Sequence, residues 1–142
     1  IPCYGTTHAD YIYGPVPCVR CLTKEEIEDA YEENTGHLIV NEFKRLGKDP
    51  KAVPAVLCKN HGPFAWGKDA REAVHNAVVL EEVAKMAYRA ETINPGSSRH
   101  PRNLQDKHIT ANMVPERTMV KQFRNRICHR NIYGRRAILL LD

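Results

Sequence analysis

The sharpest chemical feature of the sequence is a histidine placed directly after a short apolar run. Ala55-Val56-Leu57-Cys58 leads into Lys59-Asn60-His61 and then into GPFAWG. A side chain at the end of a buried strand stands on a rigid platform, and Gly62 lets other groups come close. Neutral imidazole suits zinc, and a catalytic zinc takes three protein ligands and keeps one position open. Spacing alone leaves a plainer reading open. His61 is then a turn residue bonded to backbone, with Phe64 and Trp66 as core anchors.

The second feature is TTHAD at 6–10. His8 and Asp10 are two apart, so a strand here would put both on one face. A carboxylate beside a metal can serve as general acid or base. The plainer reading is a solvated strand end or a cap. His75 flanks the apolar stripe of a helical segment and reads as packing or surface. His37 and His100 lie in loop-like surroundings. Glu81 and Glu82 are adjacent, so at most one of them could face a site. Of the five cysteines, Cys18 and Cys21 form a CxxC with no second pair at zinc-module spacing. Free thiols in a reducing compartment are the expectation.

These groups need elements to hold them. Residues 1–22 alternate short apolar runs with Gly and Pro and read as strand, turn and loop. Thr23 followed by Glu26 is a capping box that opens a helix at Lys24. Leu38, Ile39, Phe43 and Leu46 recur at helical spacing, and Gly47 stops that helix ahead of Pro50 and Pro54. The run 55–58 has strand length, and the Lys59–Pro63 segment cannot continue it. Residues 69–90 are the clearest helix, with Asp69 as N-cap and an apolar face of Ala73, Ala77, Leu80, Val83, Ala84 and Ala87. The segment INPGSSRHPRN reads as loop. Alternation of strand and helix predicts an α/β architecture. There is no internal repeat.

At 142 residues, with 42% hydrophobic and 27% charged residues, the chain has room for one globular domain. No run approaches the roughly 20 apolar residues of a membrane span, so no membrane partner is expected. The start has neither the basic n-region nor the apolar h-region of a secretory signal. It also lacks Met and opens on Ile1-Pro2-Cys3, so it is expected to lie inside a longer protein. The net charge of +4 is unevenly spread: residues 24–33 are acidic and 121–136 strongly basic. With no supporting motif and no interleaved aromatics, no nucleic-acid partner is expected.

Taken together, IPCYGTTHADYIYGPVPC, LTKEEIEDAYEENTG and VPAVLCKNHGPFAWGKDAREAVHNAVVLEEVAKMA resemble the L-ribulose-5-phosphate 4-epimerases of the class II aldolase/adducin superfamily. The resemblance runs from Ile1 to His108. HGPFAWG followed by AVHNAVVLEEVA is specific to that group, whereas the sugar-phosphate aldolases of the superfamily keep a looser NHG. The resemblance implies a three-layer α/β/α sandwich around a mainly antiparallel sheet, present here in part over residues 1–108. It implies a cytoplasmic homotetramer with sites at subunit interfaces. The substrate would be a sugar phosphate, inverted at C4 between L-ribulose 5-phosphate and D-xylulose 5-phosphate by retro-aldol cleavage and re-formation, with Zn2+ as Lewis acid.

Residue by residue, the resemblance makes His61 a zinc ligand and Asp10 the carboxylate of one proton transfer. Thr6, Glu32 and His108 line the site. The family's other two zinc ligands, in an HxH-type element, and its phosphate-binding residues precede the position of Ile1, so the metal site of this chain is expected to be incomplete. Two further readings follow from the same resemblance, a class II aldolase and a non-enzymatic adducin-like module; the intact TTHAD and NHG count against the latter. After the DKH at 106–108 the family continues like YYRKHGxxxxYGQ, with a catalytic Tyr, and this chain does not. Taking the third base of each codon from Ile109 onward as the start of a new codon can restore YRKHGPGTHYGQ, and Gly is forced at both Met-Val junctions. Residues 109–142 are therefore expected to be an out-of-frame tail.

Overall fold

The computed structural model describes residues 1–113. The chain divides into two compact units, Ile1–Ile109 and Thr110–Asp142. The tail expected over 109–142 lies outside the described residues from 114 onward. Within the first unit the order is α1 (Thr6–Tyr11), β1 (Cys18–Val19), α2 (Lys24–Leu46), β2 (Ala55–Cys58), β3 (Gly62–Ala65) and α3 (Ala70–Ile93). A last helix, α4 (Arg102–Met113), begins in this unit.

The segment expected as a strand at 6–10 is the helix α1. A six-residue helix has little stability of its own, so tertiary anchors decide its conformation. Ile12 N–H donates to His8 O at 2.9 Å, the buried His8 ring bonds Gly14 O through Nε2 at 2.9 Å, and Ala9 and Ile12 are fully buried.

The three strands lie in the order β1-β2-β3. β1 runs parallel to β2, with Cys18 beside Leu57, and β3 runs antiparallel to β2, with Cys58 opposite Gly62. The class is α/β, and the described strands make one pair of each kind. The break expected at Lys59–Pro63 is a three-residue hairpin turn. Asn60 takes the left-handed conformation at φ 63°, which Asn tolerates better than most residues. Pro63, with no N–H to give, sits in β3 at the sheet edge, where a missing donor is tolerated.

The capping box of α2 forms as the sequence predicts, with Thr23 Oγ1 accepting from Glu26 N–H at 3.3 Å and Glu26 Oε2 accepting from Thr23 N–H at 2.8 Å. The helix is kinked at Ala30 (φ −143°, ψ 74°), and Gly47 closes it in the left-handed conformation. Asn34 Nδ2 crosses the kink to Glu26 O at 2.9 Å. Asp69 caps α3 through Glu72 N–H at 2.8 Å. The loop expected at 93–103 ends early, because α4 starts at Arg102. Pro101 stands just before it, where a missing N–H costs no helical bond.

The core joins Ile12, Val16 and Val19 to Phe43 of α2, Val56 of β2 and Leu80 and Val83 of α3. Each fully buried aliphatic side chain contributes about 1.5–3 kcal/mol. Trp66 packs edge-on against Phe43 with centroids 5.5 Å apart, and its Nε1–H donates to Pro50 O at 2.9 Å. The GPFAWG segment is thereby tied to α2 and to the turn before β2.

Candidate functional site

The kind of turn α1 makes fixes where Asp10 goes. In a helix, residues two apart point to different sides, so His8 faces the core and Asp10 does not. Burial pushes the His8 imidazole below its ordinary pKa and keeps it neutral; the bond to Gly14 O acts in the opposite sense. Asp10 is half-buried, and its Oδ1 lies 2.7 Å from Nδ1 of His108, on α4. The two residues are 98 positions apart in sequence. A carboxylate held by an imidazole is an arrangement that can pass a proton, since His changes protonation near neutral pH.

Asp10 opens onto a cleft of about 770 Å³, bounded also by Tyr11, Trp66, Lys68, His75 and Asn76. The sequence reads His75 as packing or surface. Its ring lies against Tyr11 at 5.4 Å and borders this cleft. Asn76 donates to Trp66 O at 2.7 Å, which ties α3 to the end of the hairpin. The signal that could have found these residues is their position on the first turns of the helix that follows HGPFAWG.

His61 sits at the hairpin turn, where its N–H donates to Cys58 O at 3.0 Å. Its exposed ring stacks on Phe64 at 4.9 Å and faces Tyr31 at 6.2 Å. Neither ring nitrogen has a hydrogen-bond partner among the described residues, so the imidazole is open to a ligand. It borders a smaller cleft with Cys21, Tyr31, Cys58 and Asn60. The structure thus joins Asp10 to His108 but places His61 at a different cleft. Thr6, on the first turn of α1, and Glu32, just past the kink in α2, are both exposed and border neither cleft.

Zinc needs several donors converging on one point. No group of three or more His, Cys, Asp or Glu among the described residues does this. The four described cysteines are free thiols, and Cys21 Sγ accepts from Asn60 Nδ2 at 3.2 Å. The described residues therefore do not make a zinc site by themselves.

Comparison with known proteins decides the family. Residues 1–88 match the family model described as the Class II Aldolase and Adducin N-terminal domain. The chain belongs to the class II aldolase and adducin family. Among curated members, the L-ribulose-5-phosphate 4-epimerases UlaF of Salmonella paratyphi A (strain ATCC 9150 / SARB42) and Salmonella typhi are similar to it. Each is 51% identical over 109 residues, covering 77% of this chain and 47% of the relative. The chain thus spans about half the length of the curated relatives it matches. Within the family domain, Asp10, the hairpin with His61 and the start of α3 all fall inside the matched segment.

Proposed function

We propose that this chain is part of a zinc-dependent epimerase that interconverts L-ribulose 5-phosphate and D-xylulose 5-phosphate. The observation that carries this reading is the 2.7 Å contact between Asp10 Oδ1 and His108 Nδ1 at the edge of an open cleft. Retro-aldol cleavage and re-formation on the opposite aldehyde face require a proton to be taken and returned at an oxygen. Asp10 is the group that handles one such transfer, and His108 orients its carboxylate. A positioned acid or base of this kind typically contributes about 10²–10⁴-fold in rate.

His61 contributes one zinc ligand, and its exposed ring, whose nitrogens have no hydrogen-bond partner among the described residues, supports that role. Among the described residues no group of three such donors converges, so the ligand set is completed from elsewhere in the assembled enzyme. Thr6 and Glu32 line the site in the assembled enzyme, a cytoplasmic homotetramer whose sites lie at subunit interfaces. Thr6 and Glu32 are exposed in the single chain, as residues facing a second subunit would be. The complete domain is a three-layer sandwich around a mainly antiparallel sheet. No helix among the described residues is long and apolar enough to cross a membrane.

The described residues do not assemble the whole of a unit whose single removals already cost orders of magnitude. Purified with zinc, it should not turn over L-ribulose 5-phosphate; measurable turnover overturns that expectation. In an enzyme extended to family length, Asp10→Asn should lower kcat about 10²–10⁴-fold, and an unchanged kcat removes Asp10 from the reaction.

A further inference from the structure

A third cleft, of about 450 Å³, shares no lining residue with the Asp10 cleft. Lys48, Arg99 and Arg102 line it, against one carboxylate, Asp49. That carboxylate is already engaged, with Oδ1 accepting from Lys51 N–H at 2.9 Å. Lys48, at the end of the α2 C-cap turn, is half-buried and forms no ion pair among the described residues. Burial, and then the nearby Arg102, push its ammonium below the usual lysine pKa. Like charges gathered in a partly desolvated cleft repel one another and focus a positive potential there.

Two more groups converge on the same place. Gly14 has φ +76°, and a Cβ there would stand 3.7 Å from Lys48 Nζ and 3.8 Å from Gln105 Oε1. The amine therefore lies over a bare stretch of backbone. His100 Nε2 is buried and has no hydrogen-bond partner among the described residues. A buried polar atom without a partner is uncommon and points to a group that completes it. Arg102 also stands close to the Tyr13 hydroxyl, yet a guanidinium carries five N–H donors and retains others.

We propose that this cleft is an anion site that takes a phosphate group, held by Lys48, Arg102 and His100 Nε2. Phosphate fits because it offers several acceptor oxygens to donors of different geometry, and Arg pairs with it through two N–H groups at once. The bound dianion relieves the repulsion among the three cations and, with Nε2 carrying the ring proton, supplies the partner that His100 Nε2 lacks. The group arrives either as free phosphate or as the phosphomonoester of a small metabolite.

The test is calorimetric titration of inorganic phosphate into the 142-residue chain at low salt. Saturable binding near one site per chain is expected, with Lys48→Gln weakening it roughly tenfold, the usual scale for one hydrogen bond to a charged group. Lys85→Gln, which alters a lysine paired with Glu82 on α3, should leave it unchanged. Ribose 5-phosphate forms the second arm. Tighter binding of the ester assigns the site to a phosphomonoester and equal binding to the free anion, and both support the site. Absence of saturable binding by either, or equal losses in Lys48→Gln and Lys85→Gln, overturns it. If Lys48→Gln fails to fold, acetylation of the unaltered chain gives the answer by mass spectrometry. Phosphate should slow modification of Lys48 and not of Lys85, and equal rates at Lys48 with and without phosphate overturn the proposal.

Discussion

Gly67 closes the HGPFAWG hairpin where it meets the start of α3 and borders the Asp10 cleft. A Cβ at this position would stand 2.7 Å from Glu72 Cβ, 2.8 Å from Glu72 Cγ and 2.8 Å from Ala73 N. The last contact is with backbone, so no side-chain rotation relieves it. The first turn of α3 must move, and that turn carries two close contacts. Asp69 Oδ1 accepts from Glu72 N–H at 2.8 Å, and Glu72 Oε2 accepts from Lys68 N–H at 2.6 Å. Overpacking costs about 1–3 kcal/mol, and a weakened N-cap about 1 kcal/mol more. Gly67→Ala should therefore lose about 2–4 kcal/mol in total. With a urea slope of about 2 kcal/mol/M, the midpoint falls by roughly 1–2 M. Gly36→Ala is the control: no atom lies within 4 Å of its Cβ position, inside α2. It should stabilise by about 0.5–1 kcal/mol through the helix preference for Ala. A Gly67→Ala loss below about 0.5 kcal/mol, within the range of neutral surface changes, would refute the steric argument.

Thr23→Ala removes the side-chain half of the α2 capping box and should cost about 1 kcal/mol, read as a lowered urea midpoint; an unchanged midpoint would show that the Arg20–Glu26 pair holds this end alone. His8 should make stability fall with acidity. Its folded pKa lies below 6.5 because it is buried, so the unfolded chain takes up a proton as the pH drops below 6.5 while the folded chain does not. The midpoint should decline from pH 6.5 downward until the folded pKa is passed, and His8→Gln should flatten that part of the profile; parallel profiles would contradict it. Sequencing of the encoding DNA should show that a single lost base after the His108 codon accounts for residues 109–142, and codons that cannot be reread as YRKHGPGTHYGQ would exclude it.

Local signals were read directly wherever one residue type answers one local demand. Thr23 with Glu26, Gly47 and Asp69 mark helix ends because capping is a contact between near neighbours in sequence. The 55–58 strand and the 70–93 helix follow from apolar runs and periodicity. The TTHAD segment carries no local sign of its helix, because those six residues are held by burial of His8, Ala9 and Ile12. The start of α4 was hidden in a segment rich in Gly, Ser and Pro.

The sequence by itself marked the family, through motifs whose order and spacing survive without coordinates, and it singled out Asp10 and His61 as the candidate residues. It also determined the helix caps and the hairpin strand. Tertiary structure alone decided which of these groups meet. It brought His108 to Asp10 across 98 residues, held His61 at another cleft, and lined one cleft with Lys48, Arg99, His100 and Arg102. Residue type and spacing encode contacts within a few positions. Contacts across the chain depend on how buried faces pack, and packing belongs to the whole core rather than to any one segment.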